Sequence, residues 1–119
     1  MNSTNSDINE LQNIIVKFRD ERNWKQFHNP KDMSLSLVLE ATETMEHFQW
    51  KSPKEMKEYI PKHKQEISEE LADVLYWVLL MSHDLHIDIK TALKKKLIKA
   101  ERKYPIEKAK GNHRKYTEL

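Results

Sequence analysis

Apolar residues return every three to four positions along most of this chain, the spacing of a buried helical stripe rather than of strands. The first such stretch follows Asp7, a residue suited to capping a helix, and puts Ile8, Leu11, Ile14, Ile15 and Phe18 on one face. The pattern fades near Asn23, and residues 24–30 read as a loop carrying Trp24, Phe27 and His28 ahead of Pro30. A second helix is expected from a cap at Asp32 through Phe48, with Leu35, Val38, Leu39, Thr42, Met45 and Phe48 inward. Pro53 suits the first turn of a short helix that ends before Pro61.

A third long helix then spans residues 62–85, where Ile67, Leu71, Val74, Leu75, Val78 and Leu79 form a broad apolar face. A connection over residues 83–88 leads to a fourth helix at 89–103, stopped by Tyr104-Pro105, and the remainder reads as extended and basic. Four helices with short connections predict an all-α fold, a four-helix bundle. One helical domain over residues 1–119 is expected, with 106–119 as its tail.

Composition narrows the choice. A domain of 119 residues buries only about 60–70% of the surface its unfolded chain exposes, so association with other copies would help it. A single glycine argues against barrels, sandwiches and dinucleotide-binding folds, which need glycine at tight turns and phosphate loops. Cysteine is absent, which excludes disulfides and thiolate metal sites. No apolar run approaches the ~20 residues that span a bilayer, and the start is polar, so a soluble cytoplasmic protein is expected.

The net charge of +2 conceals an uneven distribution. Residues 90–119 hold eleven Lys/Arg against three acids, whereas residues 1–89 hold ten against sixteen. Basic segments attract phosphates and acidic ones attract cations. Together they suit a metal–phosphate ligand better than nucleic acid.

The informative chemistry is a pair of short motifs, Glu40-Ala-Thr-Glu43 and Glu70-Leu-Ala-Asp73. A spacing of three puts both members of each pair on one helical face, one turn apart. Each pair also borders apolar core positions, where unpaired carboxylates are costly to bury. A hard divalent cation relieves that cost, since Mg²⁺ takes oxygen ligands and keeps sites for water and phosphate. A solvated acidic face is the plainer reading of either pair alone. Di-iron bundles use Glu-x-x-His instead, and neither pair ends in histidine, so oxygen-only ligation favours Mg²⁺, with Mn²⁺ as a substitute.

Six ordered blocks then extend the picture: Arg22-Asn-Trp-Lys-Gln-Phe-His-Asn-Pro30, Glu40-x-x-Glu43, Phe48-Gln-Trp-Lys51, Glu69-Glu-Leu-Ala-Asp73, Arg102-Lys-Tyr-Pro105 and Arg114-Lys-Tyr-Thr-Glu-Leu119. With these blocks the chain resembles the MazG-like all-alpha NTP pyrophosphohydrolases, and within them the dCTP pyrophosphatase branch. The resemblance implies a four-helix fold, Mg²⁺ dependence, cleavage between the α- and β-phosphates, and assembly as dimers or dimers of dimers. It implies that Glu40, Glu43, Glu70 and Asp73 hold the metal. An aromatic base pocket is matched by Trp24, Trp50 and Trp77, and a phosphate-binding lysine by Lys96. Two positions depart from the family: Ala100 stands where many relatives carry asparagine, and Ile15 stands at a pocket-lining position of the dCTP branch.

The expected reaction is hydrolysis of a nucleoside triphosphate, dCTP or a modified dCTP, to monophosphate and pyrophosphate. Glu43 is the first choice for the base that takes a proton from the attacking water. Lys96, Arg102, Lys103, Arg114 and Lys115 are candidates to steady the phosphates, and His28 to hydrogen-bond a base edge. The competing expectation is a helical nucleic-acid-binding or nucleotide-sensing module with little catalysis, which would leave the paired carboxylates idle.

Overall fold

A computed structural model describes residues 7–119, so the polar start lies outside the described residues. All regular elements among them are helical, as the apolar periodicity predicts. The chain divides into two compact units, one through His86 and one from Ile87 onward.

The first unit holds three helices. Helix α1, Asp7–Glu21, has Asp7 and Glu10 in its first turn, where carboxylates complement the helix dipole. Its end is set by Asn23, whose φ of 56° is the left-handed conformation that asparagine tolerates best after glycine. A 3-10 turn, Trp24–Phe27, follows in place of the expected open loop. Helix α2, Pro30–Glu46, is capped by Asn29 rather than Asp32. The reason is Pro30: lacking an N–H, it fits the first helical position and pushes the cap back to Asn29, whose Oδ1 accepts the Asp32 N–H at 2.9 Å. The helix also stops earlier than expected, with Phe48 in the turn beyond it.

Helix α3, Pro53–Asp84, joins what the sequence suggested were two helices. Ser52 and Glu55 form a reciprocal capping box at its start. Pro61 does not end the helix; the backbone departs from helical angles only at His63, with φ −121° and ψ 19°. Proline breaks the regular hydrogen-bond ladder and kinks a helix that packing holds together. At the kink the His63 ring lies back over the preceding turn, its Nδ1 3.0 Å from the Tyr59 carbonyl.

Both α1 and α2 pack on α3. The α1–α3 seam is partly polar: Gln12 Nε2 donates to the Leu79 carbonyl at 2.9 Å and to Ser82 Oγ at 3.0 Å. Among the described residues the buried apolar side chains are Met33, Leu79 and Leu80. Of the apolar positions expected inward, Val74 and Val78 are half-buried, whereas Leu35, Val38, Leu39, Leu71 and Leu75 are exposed in the single chain, Leu39 by 63%.

The second unit begins with helix α4, Ile89–Lys103, capped by Asp88 accepting from the Thr91 N–H at 3.1 Å. Arg102 and Lys103 occupy the last turn, where cations complement the helix dipole. The segment after Pro105 is not simply extended. It forms a short helix α5, Ile106–Ala109, and a 3-10 turn, Tyr116–Glu118. Tyr116 folds back onto Tyr104, with ring centroids 6.0 Å apart, and under Lys103 Nζ, 4.6 Å from its centroid. Aromatic packing and a cation–π contact order a tail that charge alone would keep extended.

Candidate active site

Glu40 and Glu43 project from one face of α2, and Asp73 from the facing stretch of α3. One carboxylate oxygen of each lies within 4.8 Å of the others. Glu43 and Asp73 are exposed, whereas Glu40 is half-buried and its Oε2 is buried with no hydrogen-bond partner. Burial, then the Glu43 carboxyl against it and the charge of Asp73, push the Glu40 carboxyl up to about 7. Three carboxylates so placed repel one another. The donor set is all oxygen, and one buried oxygen is left without a donor, which fits a hard divalent cation held by Glu40, Glu43 and Asp73.

Glu70, the fourth expected ligand, does not join this trio. It lies one helical turn before Asp73, but its Oε2 meets His47 Nε2 instead. The other ring nitrogen of His47, Nδ1, lies 2.7 Å from the Tyr59 hydroxyl. Tyr59 escapes a reading of the sequence because nothing in its spacing separates it from surface residues.

Glu40 and Asp73 also form part of the wall of a cavity of about 370 Å³, whose other lining residues are Phe18, Trp24, His28, Tyr76 and Trp77. The rings meet edge to face: Phe18 with Trp24 at 5.7 Å, His28 with Trp77 at 5.3 Å, and Tyr76 with Trp77 at 5.2 Å between centroids. Such an aromatic hollow next to carboxylates suits a flat, partly polar molecule linked to an anion–metal group. His28 Nδ1 is buried without a partner, and burial with the nearby Arg19 charge lowers the pKa of the ring. A neutral imidazole facing an aromatic cavity offers one donor and one acceptor to a base edge.

Of the expected aromatic residues, Trp24 and Trp77 line this cavity and Trp50 does not. Trp50 stands 92% exposed in the turn after α2, at a φ of 68° that a bulky side chain rarely adopts. Phe18 and Tyr76 were not foreseen. Tyr76 had a signal, because positions 73, 76 and 77 share one helical face, whereas Phe18 was read only as core.

The basic candidates belong to the second unit. Lys96 and Lys103 line a separate cavity of about 210 Å³ with Lys99, Ala100, Tyr104 and Tyr116. Arg102, Arg114 and Lys115 are exposed and outside its lining.

Residues 35–119 match the MazG-like family, so more than two thirds of the chain carries its pattern. The chain belongs to this MazG-like family. Among individual relatives, dCTP pyrophosphatase 1 of Rattus norvegicus is 34% identical over 114 residues, covering 94% of this chain and 67% of the relative. The Homo sapiens protein of the same name gives the same figures, and that of Bos taurus is 31% identical over 119 residues, with 98% and 70% coverage. The solved structure of a pyrophosphatase from Archaeoglobus fulgidus superposes with a TM-score of 0.81 at 38% identity, covering 88% of this chain and 98% of that one. The all-α architecture is thus that of a known pyrophosphatase.

Proposed function

We propose that this protein is a Mg²⁺-dependent pyrophosphohydrolase that converts dCTP, or a modified dCTP, to the monophosphate and pyrophosphate. Family membership and the named relatives support the wider class, nucleoside triphosphate pyrophosphohydrolase. The observation that carries the finer reading is the convergence of Glu40, Glu43 and Asp73, two of which, Glu40 and Asp73, also line an aromatic cavity with room for a base.

In this reading Glu40, Glu43 and Asp73 hold the ion, with Glu70 beside them. Bound Mg²⁺ supplies charge stabilisation to the phosphate oxygens, and Mn²⁺ would serve in its place. Trp24 and Trp77 take the base between their rings, while the neutral His28 ring hydrogen-bonds its edge. Water attacks the α-phosphorus, Glu43 accepts its proton, and the bond from the α-phosphorus to the bridging oxygen breaks to release pyrophosphate. Trp50 is a further stacking candidate. Lys96, Arg102, Lys103, Arg114 and Lys115 are proposed to steady the phosphates, since all lie in a segment of strong positive charge.

Assembly as a dimer or a dimer of dimers belongs to the same proposal. It is supported by the exposed apolar side chains of α2 and α3, Leu35, Val38, Leu39, Leu71 and Leu75, which are costly to leave in water. None of the described helices is long and apolar enough to cross a membrane. We place the enzyme in the cytoplasm, where a cysteine-free chain acting on free nucleotides would work.

Incubation with each deoxynucleoside triphosphate and Mg²⁺, followed by product separation, tests the reading. Monophosphate with pyrophosphate is expected, fastest from dCTP or a methylated dCTP. Diphosphate with orthophosphate would refute the cleavage, and a faster purine substrate would refute the base preference.

A further inference from the structure

Beside the carboxylate trio lies a chain of polar contacts that the reaction does not use directly. His47, at the C-terminal end of α2, places Nε2 against Glu70 Oε2. Both atoms are buried and neither has a hydrogen-bond partner beyond the other. The opposite ring nitrogen, Nδ1, is 2.7 Å from the Tyr59 hydroxyl, which comes from the leading part of α3 ahead of the kink. A hydroxyl donating to Nδ1 leaves the ring proton on Nε2, so the imidazole donates to the Glu70 carboxylate.

The Tyr59 ring is itself held. His63 stacks on it at 3.8 Å between centroids with an interplanar angle of 10°, and Lys51 Nζ lies 4.2 Å from its centroid. His63 is also the residue at which the α3 backbone departs from helical angles, and its Nδ1 lies 3.0 Å from the Tyr59 carbonyl. The relay therefore runs from the kink, through Tyr59 and His47, to a carboxylate one helical turn before Asp73.

We propose that His47 is a positioning residue, oriented by Tyr59, that holds the Glu70 carboxylate at the edge of the metal site so that its other oxygen serves the ion. This rests on the reading that Glu40, Glu43 and Asp73 bind a divalent cation. Groups that hydrogen-bond a metal-binding carboxylate set its direction, and their loss commonly weakens metal affinity by about 10- to 100-fold. Glu70 fits that pattern: one oxygen is occupied by a buried imidazole, and the residue sits on the ligand face of α3.

The test is a titration of the full-length protein with Mn²⁺ alone, followed by electron paramagnetic resonance, with no nucleotide present. His47→Ala should weaken Mn²⁺ binding by about 10- to 100-fold. His47→Gln, whose amide reaches Glu70 from a similar position, should restore most of the affinity. Tyr59→Phe removes only one hydroxyl and should weaken binding by a smaller, several-fold amount. Because it keeps the ring, it still reads the relay if His47→Ala fails to fold. In turnover, the Mg²⁺ concentration for half-maximal rate should rise in His47→Ala while KM for nucleotide at saturating Mg²⁺ stays unchanged.

Unchanged or tighter Mn²⁺ binding in both His47→Ala and Tyr59→Phe overturns the positioning role and leaves the metal reading standing. Failure of the unsubstituted protein to bind Mn²⁺ overturns both.

Discussion

Arg19 of α1 is 1% exposed at its side chain, and its Nη1 lies 2.6 Å from Oδ2 of Asp84, the last residue of α3. This ion pair ties the helix that supplies Phe18 to the helix that supplies Asp73, Tyr76 and Trp77. A second contact, Arg19 Nε to Asp20 Oδ1 at 3.1 Å, completes the set around the guanidinium. Replacing Arg19 by methionine strands Asp84, which is only 18% exposed, and should cost about 3–5 kcal/mol in denaturant unfolding. Replacing both residues by apolar ones of similar volume should recover most of that loss. Equal stability of the single and double variants would show that the pair does not join the helices.

The same pair sets an acid limit. Burial alone would raise the Asp84 carboxyl, but the hydrogen bonds from Arg19 and His83 outweigh it and hold the group below its ordinary 3.8. A carboxylate depressed in the folded state contributes stability that is fully present above the unfolded value. That contribution is lost as pH falls through the folded value. The stability difference between the natural chain and Asp84→Asn should therefore be constant at neutral pH and shrink below pH 3.8. Thermal melts across that range check it.

Glu40 has the opposite sign. Its carboxyl, lifted from 4.5 to about 7, favours folding most when protonated. In chelator, stability from this group is fully present below 4.5 and is lost as pH rises through about 7. Glu40→Gln should remove that loss, so its Tm should exceed that of the natural chain at pH 8 and approach it in acid. Adding Mg²⁺ at pH 8 should raise the Tm of the natural chain and not that of the variant.

Removing the carboxylates proposed to act in catalysis should separate activity from folding. Glu43 and Asp73 are exposed, so alanine at either position should leave helical circular dichroism intact. Turnover should drop by at least about 10²-fold, the lower range for loss of a general base. Full activity in both variants would move the chemistry elsewhere.

The aromatic cavity gives a graded expectation. Stacking of a base on an aromatic ring is worth about 1–3 kcal/mol, so Trp24→Ala or Trp77→Ala should weaken nucleotide binding by roughly 5- to 150-fold. Pyrophosphate binding by the same variants should be unaffected, since that product has no base to stack. Isothermal titration with each ligand distinguishes the two.

Much of the architecture was readable in local terms. Capping residues, prolines and a 3.6-residue apolar rhythm located two helix starts, at Pro53 and Ile89, because these signals act within one turn of the backbone. Where a boundary was misjudged, neighbouring chemistry had intervened. Pro30 moved a cap to Asn29, and packing carried α3 through Pro61 to a kink at His63. The tail was misread because its order comes from Tyr104 and Lys103 meeting Tyr116, contacts between residues about twelve positions apart.

The site shows the same division. Pairs of acids three residues apart declared a carboxylate face on each helix, since helical periodicity is a local property of the chain. Which oxygens share a point in space depends on how α2 lies on α3. That packing brought Glu40, Glu43 and Asp73 together and turned Glu70 toward His47. The packing of α1 on α3 made Phe18 and Tyr76 walls of a cavity, while Trp50 stands in the open. Residue types and spacing established the helices and the acidic motifs; only the long-range docking of those helices decided which carboxylates cluster and which rings line the cavity, because side-chain encounters across elements leave no periodic trace along the chain.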